Sequence, residues 1–571
     1  MQHWQSPSTA QLQLRSPAVH LAVFFLAIVY ALYFSATTSI GHLQFHTFAY
    51  DLGTFDQGIW LAGHGTDWFV TVRGLNLLGD HVRLFSFLLA PLYWLWDDVR
   101  ALLILQSVAI AAGAIFLYRI AERELPGRPW LVLAISAGYL LHPAVQNLNL
   151  DHAHPDAFAT TFLLASVDFL RGGRLLPFWI AAALAMSCKE DVPLVFVMMG
   201  FVLMMDPRRR RLGIVLALVS SAYFLLCVAV ILPHFNGVGF FRTKPRGFLA
   251  GFGRHGTEAA WLFGRLLRRE SALYLWTLGV PHAFLFLLAP RWLLPAVPAL
   301  AANLLSDANY MRSMYYHYHA SIVPFLAIAT IDALASLTRA GSVEAGAAIL
   351  RSRRLRQALP AIVILGAALA ANVTWSKIPL QRSGVLLDNW RYLQRSTNIA
   401  EYHRMLETIP RDASVAADYS LLPHLSHRRF VYMLPNPFRQ SYWGIAGENQ
   451  HDPRTVDYIA IHNVRTHDPV MQQVEKLAPG QFERIAGDLE YGVFRRKRVV
   501  AIGEHASCGD WDGDGRITRE DLQWIADAIM KGGECPPRVC DADGDGTARS
   551  ADVLRIGKRA TDPAIALGCP D

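Results

Sequence analysis

The sequence predicts a polytopic α-helical membrane protein of about eleven spans, followed by a small soluble α/β domain and a paired EF-hand-like α domain. Three observations carry this expectation. Hydrophobic residues make up 53% of the 571-residue chain and charged residues only 17%, whereas a soluble chain is nearer about one quarter charged. The mean hydropathy is +0.24. Apolar stretches of roughly 20 residues, enough to cross a bilayer as a helix, recur through the first two thirds of the chain. Beyond them, the segment from Cys508 carries two acidic, glycine-bearing loops and four of the six cysteines.

Candidate spans begin near Val19, Ala101, Trp130, Ala157, Leu176, Val192, Leu212, Leu273, Trp292, Ile322 and Leu359. The run from Val19 is long enough to span and no small-residue cleavage site follows it, so it reads as an anchor and not as a signal peptide. The stretch His81 to Trp96 is apolar but short, and Pro91 interrupts it; it reads as a re-entrant or interfacial helix. With the N-terminus cytoplasmic, the inner loops carry Arg119, Arg123 and Arg128; Arg171 and Arg174; Arg208 to Arg211; Arg291; and Arg339 with Arg351, Arg353, Arg354 and Arg356. This is the positive-inside pattern. The formal net charge of +7 lies largely in these short runs, which orient the chain in the bilayer and are not a nucleic-acid footprint. One loop runs the other way. His234 to Ala272 falls outside yet carries Arg242, Lys244, Arg246, Arg254, Arg265, Arg268 and Arg269. It would grip lipid phosphates or a phosphorylated substrate, or else one span is misassigned.

The same topology places the unusual polar residues on the outer side. The helical domain, residues 1–374, has a first outer loop at 37–100 containing Asp51, Asp56 and His81. Asp151-His152-Ala153-His154-Pro155-Asp156 follows in the second, Lys189-Glu190-Asp191 at a later turn, and Tyr315-Tyr316-His317-Tyr318-His319 after the span from Trp292. Ionisable groups at membrane depth are expensive and usually functional, so these clusters predict one shared polar site. The alternative is a set of ordinary membrane-edge loops. A carboxylate there could take a proton from a hydroxyl. Carboxylates with histidines could hold a divalent ion, and Lys189 or the outer arginines could grip a phosphate. His152 and His154 are two apart and could share a metal only from a loop; no His-Glu-x-x-His is present. A phosphate-binding Walker loop, a dinucleotide fingerprint and a Gly-x-Ser-x-Gly elbow are absent from the sequence.

Tyr50-Asp51-Leu52-Gly53-x-Phe55-Asp56-Gln57, Gly79-Asp80-His81, His154-Pro155-Asp156, Lys189-Glu190-Asp191 and His317-Tyr318-His319 together resemble the bacterial multi-spanning family of domain of unknown function 2079 (DUF2079) over residues 20 to 490. That family looks similar to GT-C glycosyltransferases, integral-membrane enzymes that use polyprenyl-phosphate sugars and carry an acidic residue in the first outer loop. The resemblance implies that Asp51 or Asp56 is the catalytic acid or a metal ligand. His81, His154, Asp156, Glu190 and His319 would shape the site, and Lys189, Arg242 and Arg246 would face the substrate phosphate. Fold-level analogy sets an expectation only.

Residues 375–500 read as a soluble extracytoplasmic α/β domain. Ser414–Ala417, Arg429–Met433, Asp457–Ile461 and Tyr491–Phe494 look like strands, and Trp390–Glu407 like a helix. The two histidines of Leu421–Arg428 either face the cleft or belong to a surface turn. In residues 501–571, Asp510, Asp512, Asp514 and Asp521 recur as Asp541, Asp543, Asp545 and Asp552. Acids at loop positions 1, 3, 5 and 12, with glycine at position 6, form a calcium loop, and Arg516 and Thr547 would supply backbone carbonyls. Two Ca2+ ions are expected. Aspartate at position 12, in a repeat of about thirty residues, resembles a type I dockerin, which implies a cohesin-like protein partner. The cysteines favour Cys508–Cys535 and Cys540–Cys569, one staple per repeat, although four cysteines allow three connectivities. Calcium and disulfides both place the tail outside the cytoplasm.

The function expected is therefore transfer of a sugar from a polyprenyl-phosphate donor at the extracytoplasmic face. A divalent metal at that site and a calcium-binding tail accompany it. Two other readings remain: a transporter or flippase, whose polar residues would line a path across the bilayer, and a membrane-anchored dockerin-bearing scaffold.

Overall fold

The computed structural model describes residues 16–237, 258–340, 353–376, 399–438, 452–462, 468–477, 481–487, 491–497, 506–513, 515–530 and 535–570. It divides into two compact units: Met1–Met471 with Ala486–Val493, and Gln472–Ile485 with Phe494–Asp571.

Among the described residues, six helical stretches are long and apolar enough to cross a membrane: Pro17–Leu43, Val99–Glu124, Pro129–Leu150, Arg210–Asn236, His317–Arg339 and Ala358–Trp375. Three shorter apolar ones, Phe85–Leu95, Leu175–Cys188 and Val192–Met204, accompany them. The first helix, α1 (Pro17–Leu43), shows why. Val23, Ala27, Tyr30 and Phe34 are buried against the bundle, while Leu21, Phe25, Ile28 and Leu32 on the other side are exposed. A helix apolar on both faces is at home in hydrocarbon, not in water. Helices Val192–Met204 and Arg210–Leu226 approach closely through two glycines. A Cβ on Gly200 would lie 2.7 Å from the Gly213 carbonyl oxygen, and one on Gly213 2.6 Å from that of Gly200. Small residues that let backbones meet are the usual contact between helices in lipid.

Several expected spans take other forms. The stretch from Ala157 lies in α2 (Pro155–Arg171), which has only 17 residues and keeps Asp156, Asp168 and Arg171 buried. Those from Leu273 and Trp292 become a helix at Arg269–Gly279, short 3₁₀ turns through Ala296 and a helix at Val297–Leu305. Pro281, Pro290 and Pro295 remove backbone donors there, so a continuous α ladder cannot form. The His81 to Trp96 stretch is two short helices, Phe85–Leu89 and Leu92–Leu95, parted at Pro91.

The first unit also holds an α/β layer. Strand β1 (Val415–Ala417) pairs in parallel with β2 (Val431–Met433) on one side and β3 (Tyr458–His462) on the other. The first two are buried throughout, as parallel strands covered on both faces must be. Their core is shared with the first loop. Phe45, Ala49, Val70, Val72 and Leu77 pack with Val415, Leu422, Val431 and Met433.

The second unit contains the two acidic loops and their helices, α3 (Arg519–Met530) and α4 (Ser550–Thr561), around Trp511, Ile525, Ala528, Val539 and Ile556. The disulfides differ from the favoured pairing. Cys508 bonds Cys569, and Cys535 bonds Cys540. The repeats stack on each other, which brings the end of the second beside the start of the first. The Gly568 N–H donates to the Ala542 carbonyl at 2.9 Å, and the Gly509 N–H to the Val539 carbonyl at 2.9 Å. One disulfide therefore ties the ends of the module, and the other closes the short turn at Pro536–Val539.

Candidate functional site

Asp51 stands on a sharp turn, with φ 62° and ψ −82°. Such a conformation costs a non-glycine residue on the order of 1–3 kcal/mol and is held only where surrounding structure forces it. Two anchors do so. On the N-terminal side, the Ala49 N–H donates to the Tyr419 carbonyl at 2.8 Å, and Phe48 stacks on Tyr419. On the other side, Leu422 fills the space over Gly53; a Cβ there would lie 2.5 Å from its Cδ2.

The carboxylate faces a buried imidazole. Asp51 Oδ1 is 3.4 Å from His154 Nε2, with the Asp51 side chain 24% exposed and that of His154 fully buried. The loop carrying His154 is held by Gln106, which lies on the helix Val99–Glu124. Its amide donates to the His152 carbonyl at 2.6 Å and accepts from the His154 N–H at 2.7 Å. The ring of His154 stacks on that of His317 at 3.9 Å. His317 Nδ1 in turn lies 3.0 Å from Asp151 Oδ2, and that oxygen also accepts the His317 backbone N–H at 2.9 Å. Four side chains thus stand in a row, with the stacked pair His154 and His317 between Asp51 and Asp151. Beside them Lys189 Nζ donates to Asp156 Oδ1 at 3.0 Å. Arg83 lies over the Phe55 ring at 3.9 Å, and Phe55 meets His154 edge-on at 5.5 Å.

Electrostatics set the charge states. Burial pushes the Asp51 carboxyl up, but the imidazoles of His154, His317 and His152 outweigh it and leave it at about 2. Burial pushes His154 down, and Asp51, Asp151 and Asp156 bring it above its ordinary value. Asp156 is likewise raised by burial and then held far lower by Lys189 and its cationic neighbours. Lys189 is pushed down by burial and lifted further by Asp156, Asp191 and Glu190. The cluster is a set of ions that stabilise each other.

Asp151, His154 and His317 present one oxygen and two nitrogens within 4.8 Å of one another. Neither ring nitrogen of His154 has a hydrogen-bond partner among the described residues. An unbonded buried imidazole beside two carboxylates suits a divalent ion or a ligand oxygen.

The remaining expected residues divide among three neighbouring networks. His81 Nδ1 lies 2.6 Å from Glu190 Oε1, and Glu190 Oε2 accepts the Val82 N–H at 3.1 Å; this ties the first loop to the Lys189 turn. His319 sits on the same short turn as His317 but points to Tyr274, 3.4 Å away, which Asn303 also bonds. Asp56 is fully buried and is not with Asp51. It accepts from Tyr93 and Ser426 and lies 3.1 Å from His427 Nε2. His427 Nδ1 lies 2.6 Å from Asp97, which also accepts from Trp60 at 3.1 Å. Burial lowers His427, but Asp56 and Asp97 lift it to about 9. Arg242 and Arg246 lie outside the described residues, as does Asp514.

The sequence did not single out Asp151, His317 and Gln106 as site residues, and it left His427 open between the cleft and a surface turn. The first two stood inside quoted clusters, and nothing in the spacing distinguishes His317 from His319. A buried glutamine in a spanning helix was a readable signal for Gln106, because an amide in hydrocarbon must find partners.

In the second unit, three carboxylates of each acidic loop come together among the described residues. Asp510, Asp512 and Asp521 bring oxygens within 4.8 Å, and so do Asp541, Asp543 and Asp552. The two loops bond alike at an offset of 31 residues (510 to 541, 521 to 552). Asp510 accepts from Gly513 and Gly515, and Asp541 from Gly544 and Gly546. Asp521 accepts from the Asp512 and Thr518 N–H groups, and Asp552 from those of Asp543 and Arg549.

Apolar helices with exposed hydrocarbon faces, ending in a knot of buried ions, define an integral membrane protein with a polar site at one end of its bundle. The chain belongs to the family described as predicted membrane protein (DUF2079), which matches residues 41–496. No curated protein matches it. Among solved structures it is similar to ArnT from Cupriavidus metallidurans bound to undecaprenyl phosphate, at 14% identity and a TM-score of 0.44, covering 82% of this chain and 97% of that one. For the apo form of ArnT the values are 13%, 0.46, 84% and 98%. It is also similar to the apo oligosaccharyltransferase of Archaeoglobus fulgidus, at 12% and 0.41, covering 83% and 74%.

Proposed function

We propose that this protein is a GT-C-like membrane glycosyltransferase that moves a sugar from a polyprenyl-phosphate donor to an acceptor hydroxyl. The observation that carries the reading is Asp51: a strained, partly open carboxylate at the edge of a buried imidazole and lysine cluster, at the end of a bundle of lipid-facing helices. A lipid-linked donor would present its phosphate at that level. The positive-inside distribution of arginine supports placing this end and the C-terminus outside the cytoplasm, with the N-terminus within.

In this reading Lys189, His154 and Arg83 receive the donor phosphate as charge-assisted donors. The acceptor oxygen attacks the anomeric carbon, the bond from that carbon to the phosphate oxygen breaks, and the polyprenyl phosphate leaves with the electron pair. The acceptor proton passes to Asp51. At about 2, Asp51 is a weak base at rest. An anionic phosphate that engages His154 and Lys189 withdraws positive charge from Asp51 and raises its basicity, so the donor itself readies the base. The donor set of Asp151, His154 and His317 would hold a divalent ion only with His154 neutral, and the ion would then offset phosphate charge in place of the protonated imidazole. Glu190 keeps the His81 loop beside Lys189, and His319 supports the wall through Tyr274. Asp56, closed off from solvent, holds the loop in place.

In the tail, Asp510, Asp512, Asp514 and Asp521, with the Arg516 carbonyl, would hold one calcium ion. Asp541, Asp543, Asp545 and Asp552, with the Thr547 carbonyl, would hold a second. A dockerin-like module of this kind would engage a cohesin-like protein.

The test is reconstituted full-length protein given a panel of undecaprenyl-phosphate-linked sugars. Asp51→Asn should lower turnover by about 10²–10⁴-fold with the melting temperature unchanged, and Lys189→Gln should weaken retention of undecaprenyl phosphate. Wild-type turnover retained in Asp51→Asn would end the reading.

A further inference from the structure

Three elements start at the Asp51 cluster and run away from it: the helix Val99–Glu124 from Gln106, α2 from His154, and the span His317–Arg339 from His317. Their far ends carry a second ionic network that the proposed reaction does not use. Asp168 is fully buried, and three guanidinium groups converge on it: Arg119 at 3.0 Å, Arg123 at 3.0 Å and Arg174 at 3.7 Å. Among the described contacts, these three guanidinium groups share the one carboxylate. Next to it, Arg171 and Arg291 share Asp332, at 2.7 and 3.2 Å. Arg171 also reaches Glu124 at 3.3 Å, and Arg209 donates to the Leu170 carbonyl at 3.3 Å.

Two features distinguish this from a self-contained salt bridge. The outermost guanidiniums face solvent: Arg174 is 47% exposed and Arg291 48%. The chain beside them is apolar and exposed as well. Leu175 and Leu176 follow Arg174 directly, Trp130 opens the next span and Met205 precedes the Arg208 to Arg211 run; all four are exposed. Arg119 and Arg174 both lie over the Phe169 ring, at 5.8 and 4.7 Å, which fixes their planes. Cations held rigidly where an apolar belt begins lie at headgroup level in a bilayer.

We infer that Arg119, Arg123 and Arg174 form a binding site for the phosphate of an anionic phospholipid, at the opposite end of the bundle from Asp51. The phosphate would sit on the outward edge of Arg174, with its acyl chains along Leu175 and Leu176. Arginine suits this because its planar fork keeps Asp168 on one edge and offers donors on another.

Native mass spectrometry of the full-length protein, with phosphatidylglycerol or phosphatidylcholine added in parallel, reads the site. Wild type should retain phosphatidylglycerol about fivefold or more over phosphatidylcholine. Arg174→Gln should lose most of that preference, and Arg174→Lys should keep part of it. Arg174 has the longest of the three contacts to Asp168, so its replacement leaves that carboxylate with two partners and the fold in place. Thermal unfolding of each variant checks this. Equal retention of the two lipids by wild type, or a preference undiminished in a folded Arg174→Gln, would overturn the site. Excess inorganic phosphate that strips the bound phosphatidylglycerol would overturn the lipid assignment and leave free phosphate as the ligand.

Discussion

His427 shows how much one side chain can hold. Its two nitrogens join a fully buried aspartate, Asp56, to a half-exposed one, Asp97, and so join the α/β layer to the first loop. Its folded value of about 9 lies above the ordinary 6.5. The stabilisation it gives is therefore complete below the ordinary value and is lost as pH rises through about 9. The difference corresponds to on the order of 3 kcal/mol. The melting temperature of wild type should fall between pH 7 and 10, and His427→Gln should start lower and fall less. A His427→Ala chain strands the Asp56 carboxylate and should lose about 3–5 kcal/mol, part of which Asp56→Asn in the same chain should restore. A flat wild-type profile would show that the ion pair contributes nothing.

At the scale of elements, each acidic loop of the tail leads into a helix, Arg519–Met530 after the first and Ser550–Thr561 after the second. Each tail loop gathers several carboxylates within a few ångströms, and like charges so placed repel unless a cation lies between them. Calcium should therefore tighten the loops and the helices that follow. Full-length protein treated with a chelator should become more sensitive to proteolysis after Ala506, and calcium should reverse this; Asp521→Ala should lose the first-loop response only. Cleavage that ignores calcium would remove the ion from the account. The sequence made these loops legible because all the carboxylates of a loop lie within one local stretch and glycine marks the turn. The disulfides were not legible, because their partners depend on how the two repeats stack. Cys508 meets Cys569 only because the last residues return to the Gly509 and Val539 edge.

At the scale of the whole molecule, the ion networks mark two ends. Asp51, Asp151, His154, Asp156, Lys189 and His317 gather at the start of three helices, and Arg119, Arg123, Arg171, Arg174 and Asp332 at their ends. A membrane-impermeant thiol reagent should reach Tyr50→Cys and Arg174→Cys from opposite sides of sealed vesicles. The native Cys188 and Cys227, both buried, should stay silent. Labelling of both positions from one side would break the topology on which the glycosyltransferase reading depends. The sequence alone determined that the chain lies in a membrane, which short motifs are chemically unusual there, and where the tail carboxylates gather. All three follow from composition and local spacing. Tertiary structure alone decided that Asp51 meets His154 while Asp56 turns away to His427, that His317 and not His319 joins the cluster, and that Cys508 pairs with Cys569. Each of those contacts joins residues distant in sequence, and only the packing of helices against one another and against the α/β layer brings them within reach.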